Sequence, residues 1–143
     1  MDLGGLPNVY LDGFEVIAHF SAPELNNSGV FYTDSNGLEM QKRILNFRSY
    51  YNITEHMYGN NPQNITANYY PINSAIAIRD TSKNLQFTVM NDRSQGGSSL
   101  TSGSIELMQQ RRIAADDNKG VNEFLNETDS TGRGQRTPAT YFV

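Results

Sequence analysis

Nowhere in this chain do ten consecutive residues carry the 3.6-residue apolar repeat of an amphipathic helix. What recurs instead is a short run of alternating apolar, β-branched or aromatic residues, closed by Gly, Asn, Asp, Ser or Pro. Glu15 to Phe20 is one such run, broken by Ser-Ala-Pro-Glu-Leu-Asn-Asn-Ser-Gly. Val30-Phe31-Tyr32-Thr33 is a second. Asp34-Ser35-Asn36-Gly37 supplies turn chemistry, and Leu38, Met40 and Ile44 resume the alternation with Lys42 on the same face, which predicts a hairpin. Tyr69-Tyr70-Pro71 starts another element, and Ile76 and Ile78 alternate with Ala75 and Ala77. After a turn over Asp80 to Asn84, Leu85, Phe87 and Val89 share a face of a second hairpin arm. Arg93 to Gly103 reads as a Gly/Ser loop, Ile105 and Leu107 open a further strand into Gln109-Gln110-Arg111-Arg112, and Tyr141-Phe142-Val143 begins one more. Asn122 to Asn126 has room for at most one helical turn. The fold class expected is all-β, an antiparallel β-sandwich or a part of a larger β-rich region.

Length fits one domain over 1–143, with 116–138 as a polar loop segment anchored by Val121, Phe124 and Leu125. Of 143 residues 37% are hydrophobic and only 18% charged, so the chain lacks the high charge of a disordered one. Lys and Arg number 11 against 15 Asp and Glu, a net charge of −4 with no basic block, which argues against nucleic acid as a partner. The longest apolar stretches are a few residues, which predicts no membrane partner, and the start shows no signal-peptide pattern. With no cysteine there is no disulfide framework, Cys-ligated metal or cysteine nucleophile.

Neutral polar residues fill the remainder, among them 16 Asn and 22 Ser and Thr. Four N-x-[ST] sequons fall at Asn26, Asn52, Asn64 and Asn126, all in turn-rich stretches where a glycan would be accommodated. They point to the secretory route, somewhat above what this composition yields by chance.

Residue chemistry alone gives no active site. His19 and His56 are far apart in sequence and lack ligand spacing, so no metal residue is assigned. Asp116-Asp117-Asn118-Lys119-Gly120 resembles a calcium loop only superficially: placing Gly120 sixth puts Ala115 first and Lys119 fifth, removing two oxygen ligands. Gln95-Gly96-Gly97-Ser98-Ser99 lacks the Lys of a phosphate-binding loop and precedes a β-type run, so it reads as a connector. Tyr50, Tyr51, Tyr58, Tyr69 and Tyr70 could stack on sugar rings, or serve simply as strand residues.

Five blocks in order carry a resemblance. They are Phe31-Tyr32-Thr33-Asp34-Ser35-Asn36-Gly37, Asn68-Tyr69-Tyr70-Pro71-Ile72-Asn73, Asn91-Asp92-Arg93-Ser94-Gln95-Gly96-Gly97-Ser98-Ser99-Leu100, Glu106-Leu107-Met108 with Arg111-Arg112, and Asp116-Asp117-Asn118-Lys119-Gly120-Val121. From about Phe14 to its end the chain resembles the C-terminal β region of glycoside hydrolase family 38 α-mannosidases, nearest the lysosomal (acidic) branch.

That resemblance implies a secreted or lysosomal glycoprotein several times this length, often processed and homo-oligomeric. It implies retaining hydrolysis of α-mannose in glycoprotein-derived oligosaccharides by a carboxylate nucleophile and an acid/base partner. A zinc ion held by His and Asp grips the mannose hydroxyls in such enzymes. Nucleophile and zinc ligands belong to an N-terminal α/β domain, so this chain is expected to hold no catalytic residue and no cofactor of its own. Its partners would be the remaining segments of the same mannosidase and the oligosaccharide. The family's Asp-Asp-x-Arg-Gly turn aligns with Asp116, Asp117, Asn118, Lys119 and Gly120, which makes Asp116, Asp117 and Lys119 candidate pocket residues. Lys119 in place of Arg exchanges a planar fork of donors for a point charge. Arg111 and Arg112 match the family's paired arginines and are expected to brace that turn. The expected role is a fragment that packs on the catalytic domain and completes the pocket wall. The alternatives are a standalone carbohydrate-binding or structural secreted β module, and an allergen or storage-like secreted protein.

Overall fold

The computed structural model describes residues 13–50, 52–53, 64–116, 118, 120 and 122–143. Among the described residues nine strands follow one another: β1 (Phe14–Ser21), β2 (Val30–Ser35), β3 (Glu39–Ile44), β4 (Tyr70–Ile72), β5 (Ala75–Asp80), β6 (Leu85–Asn91), β7 (Gln95–Ser98), β8 (Ser104–Arg112) and β9 (Tyr141–Phe142). A single 3₁₀ turn, Thr66–Asn68, precedes β4, and no α-helix occurs among the described residues. Asn122 to Asn126 forms no helical turn.

The strands make two antiparallel sheets, four-stranded in the order β1-β8-β7-β4 and five-stranded in the order β3-β2-β5-β6-β9. Contacts divide the chain into two units, Met1–Ala18 with Met108–Thr140, and His19–Leu107 with Tyr141–Val143. In the second unit the sheets face each other as the expected sandwich. Phe31, Ile76, Ile78 and Val89 from one sheet and Tyr70, Ile72, Ile105 and Leu107 from the other form one buried cluster, with Leu25 beside them. The rings of Phe31 and Tyr70 meet edge to face at 5.6 Å, the arrangement aromatic quadrupoles favour.

The hairpin signals lie where the turn chemistry put them. In β2–β3, Ser35 pairs with Glu39, and Asn36 and Gly37 take left-handed φ of 53° and 71°, as a twist-matched tight turn requires. The face marked by Met40, Lys42 and Ile44 is the exposed one, and Gln41 and Arg43 are half-buried. β5 and β6 pair from Ala75↔Met90 to Asp80↔Leu85. Pro71, which has no N–H to donate, lies on the edge strand β4, where one is dispensable.

The Gly/Ser stretch departs from its expected loop. Gln95–Ser98 is β7, paired with both β4 and β8 inside the four-stranded sheet. A Cβ at Gly97 would lie 2.7 Å from Ile72 Cγ1 and 2.7 Å from Leu107 Cδ2. The missing side chain is what lets two core residues close over the strand, so glycine here marks close packing, not a break.

Two aspartates fasten the loops of this unit. Asp34 Oδ2 accepts the Gly37 N–H at 2.8 Å, while Oδ1 accepts those of Asn73, Ser74 and Ala75 at 2.8, 3.0 and 3.2 Å. Asp80 Oδ1 accepts from Ser82 Oγ at 2.6 Å and from the N–H groups of Ser82 and Lys83, and Oδ2 accepts the Asn26 N–H at 3.0 Å.

Candidate functional site

Of the turn matched by resemblance, Asp116, Asn118 and Gly120 are described and belong to the first unit, where β8 continues past Leu107 into a long polar return. Among its described residues that return forms no strand, only an isolated bridge between Thr128 and Gly134. Side chains of β8 reach across to its backbone instead: Gln109 Nε2 donates to Thr137 O at 2.7 Å, Gln110 Nε2 to Gln135 O at 2.6 Å and Arg112 Nη2 to Asn126 O at 2.9 Å. The Ile113 N–H adds a backbone bond to Leu125 O at 2.9 Å. Long polar side chains at a strand's end thus hold a segment too polar to pack by its own apolar surface.

Arg112 is 5% exposed. A guanidinium so far out of water needs acceptors around it, and the Asn126 carbonyl supplies one. Arg111 is exposed, its Nε 2.9 Å from Glu15 Oε1. Asp116 is half-buried, and its Oδ2 accepts the Asn118 N–H at 2.7 Å, closing its own turn with Asn118 at φ 59°. Asp117 and Lys119 lie outside the described residues. A compact turn follows at Asp129, whose Oδ1 accepts from Thr131 Oγ1 at 2.6 Å and from the N–H groups of Thr131 and Arg133. Thr131's hydroxyl foremost, with those amides, holds the Asp129 carboxyl below its usual range.

Burial pushes the Asp34 carboxyl up, but the Ser74, Ala75, Gly37 and Asn73 N–H groups outweigh it and bring it below its usual value. Asp80 is lowered from 3.8 to about 2, chiefly by the Ser82 hydroxyl and the Asn26 N–H.

Each sequon asparagine is exposed. Asn26 Oδ1 accepts the Ser28 N–H at 3.0 Å and Ser102 Oγ at 2.9 Å, leaving its amide nitrogen, the atom a glycan would occupy, without a hydrogen bond among the described residues. Asn64 and Asn126 give their carbonyls to Asn68 and Arg112. Of the tyrosines, Tyr50 is 78% exposed and Tyr70 only 6%, and Tyr69 is half-buried and donates to Glu106. Tyr51, Tyr58 and His56 lie outside the described residues. His19 is exposed on β1, and among the described residues no three His, Cys, Asp or Glu side chains come together as a metal site. Zinc therefore has no donor set among the described residues.

One cleft went unmarked by the sequence. Lys42, Arg43, Ile44, Phe47, Arg48, Ser49, Tyr50 and Tyr70 enclose about 140 Å³ beside β3. The guanidinium carbons of Arg43 and Arg48 stand 4.3 and 4.2 Å from the Tyr70 ring centroid. The available signal was an arginine on the inward side of a strand alternation.

The family model described as "Glycosyl hydrolases family 38 C-terminal domain" matches residues 9–119. The lysosomal alpha-mannosidase of Felis catus is 47% identical over 124 residues, 87% of this chain and 11% of that protein. That of Homo sapiens is 47% identical over 118 residues, 82% of this chain and 11% of the relative. A probable alpha-mannosidase of Arabidopsis thaliana is 44% identical over 116 residues, 81% and 10% respectively. The chain thus spans about a tenth of the length of these curated relatives. With most of its length matched, the chain belongs to the glycosyl hydrolases family 38 C-terminal domain family.

Proposed function

We propose that this chain is a β-domain segment of a larger lysosomal-type α-mannosidase, which trims α-mannose from glycoprotein-derived oligosaccharides with retention of configuration. The observation that carries this is identity near 47% to lysosomal alpha-mannosidases, over most of this chain but a tenth of theirs. The nucleophile and a zinc ion belong to other segments of that enzyme. This chain packs on them and completes the pocket wall with Asp116, Asp117 and Lys119, and the parent enzyme is a homo-oligomer. Lys119 brings a positive charge toward sugar hydroxyls or a carboxylate, without the bidentate fork an arginine would offer. Arg112, bonded to the 126–127 carbonyls, holds the polar return that leads from this turn.

Location in the lysosome or secretory route is supported by the four exposed sequons Asn26, Asn52, Asn64 and Asn126. A standalone sugar-binding module finds less support, because Tyr70 is enclosed and Tyr69 is engaged with Glu106.

Size fractionation of native material tests the reading. Tryptic peptides of this chain are expected to co-elute with α-mannosidase activity at several times 16.0 kDa. Peptides confined to a 16.0 kDa fraction without that activity would overturn it.

A further inference from the structure

We propose that the cleft lined by Lys42, Arg43 and Arg48 is a docking site for an acidic, extended polypeptide segment that presents a carboxylate to the two guanidinium groups. Both guanidinium carbons lie over one ring, at 4.3 and 4.2 Å from its centroid, so they are no farther apart than the sum of those distances. The Tyr70 ring supplies them only a weak counter-charge. Among the described residues no carboxylate pairs with Lys42, Arg43 or Arg48, in a chain whose acids outnumber its bases by 15 to 11. Three cations with no anion partner among the described residues, two of them stacked on one ring, leave a local field that an acidic partner neutralises.

The donors are also underused. A guanidinium offers five N–H groups. Arg43 spends Nε on Thr33 Oγ1 at 3.0 Å, and Arg48 spends Nη2 on Ala67 O at 2.8 Å. Arg48 Nε is buried with no partner, a condition native structures rarely leave uncompensated. A carboxylate accepts two such donors in parallel, which suits arginine better than any neutral ligand.

The rim decides between a polypeptide and a small anion. Ile44, Phe47 and Tyr50 border the same cleft and are 37%, 53% and 78% exposed. A hydrated phosphate gains nothing from such a rim, whereas a peptide covers it with the apolar side chains flanking its acid. The inference stands on this unit alone, so it does not depend on which enzyme the chain serves.

Nuclear magnetic resonance titration of the 143-residue chain tests it. The probe is an acetylated pentapeptide of alternating leucine and glutamate, with its glutamine counterpart and inorganic phosphate as comparisons. The glutamate peptide is expected to shift the Nε–H signals of Arg43 and Arg48, with the glutamine form at least about tenfold weaker. Arg48→Lys, which keeps the charge and loses the fork, should weaken binding about tenfold. Arg43→Met should abolish it, and Arg133→Met, an exposed arginine of the other unit, should leave it unchanged. Lys42→Gln, on the exposed face of β3, provides a variant that folds even where an Arg48 substitution does not, and it should weaken binding at low salt. Phosphate binding as tightly as the peptide, or peptide binding indifferent to these substitutions, would overturn the proposal. So would self-association that Arg43→Met abolishes while no peptide binds, which would assign the cleft to a second copy.

Discussion

Asparagine explains much of how single residues shape this fold. Five of the six described non-glycine residues with left-handed φ are asparagines, Asn36, Asn46, Asn84, Asn118 and Asn122, the residue type that best tolerates that region after glycine. Two more work in the interior. Asn27 bonds Val30 O, Ser99 Oγ and the Gly103 N–H, and Asn68 bonds the Asn46 backbone and side chain and Asn64 O. A composition that looks underweight in apolar residues is therefore partly one in which side-chain amides replace backbone hydrogen bonds. Asp34 and Asp80 do the same with charge. Asp34→Asn sets an amide donor among four N–H groups and should cost about 2–3 kcal/mol in urea unfolding; an unchanged midpoint would contradict that role. Asp80 has a folded pKa lowered from 3.8 to about 2. Its stabilisation is thus complete above 3.8 and is lost as pH falls from there toward 2. Thermal melts from pH 5 to 2 should show a descent that is shallower in Asp80→Asn. Equal slopes would remove Asp80 from the account.

At the scale of elements, the hairpins were legible because turn chemistry and period agree there: Asn36-Gly37 and the 81–84 turn each join two alternating runs. β7 was illegible for a physical reason. Gly96, Gly97 and Ser98 have loop composition, and only the side chains of neighbouring strands, Ile72 and Leu107, explain why a strand needs so little bulk. Gly97→Ala should therefore cost about 1–3 kcal/mol through overpacking, read from urea midpoints. Gly103→Ala should cost at least as much, since φ is +75° and the new Cβ would meet Ala22 O at 2.7 Å. Tolerance of alanine at Gly97 would mean β7 does not pack as described. The outward face of β3 misleads by the same logic: Met40 and Ile44 look like core residues, yet the inward position holds Arg43, bonded to Thr33 and stacked on Tyr70. The polar return shows the converse, a segment without regular structure held by Gln109, Gln110 and Arg112. Arg112→Met should make the 116–140 stretch more sensitive to limited proteolysis while the melt of the sandwich core changes less. Unchanged cleavage there would show that the arginine does not hold the return.

For the whole molecule, the family was legible in five ordered blocks, three of which are tied to something the sandwich needs. Phe31 to Gly37 holds a core aromatic, Asp34 and the Asn-Gly turn; Asn68 to Asn73 holds the buried Asn68 and β4; Asn91 to Leu100 holds β7. The candidate pocket was legible only as an alignment, since under the proposed function Asp116 to Gly120 would work beside groups that other segments supply. The four exposed sequons predict that glycosidase treatment lowers the mass of native material; no shift at any site would contradict the secretory assignment. The central claim is that this chain is one non-catalytic part of an α-mannosidase. Hydrolysis of a chromogenic α-mannoside at acidic pH with zinc tests it most directly, using the 143-residue chain alone and then with the remaining enzyme segments added. The account predicts no turnover alone and activity once the segments are joined. Turnover by the chain alone, abolished by a chelator, would contradict it.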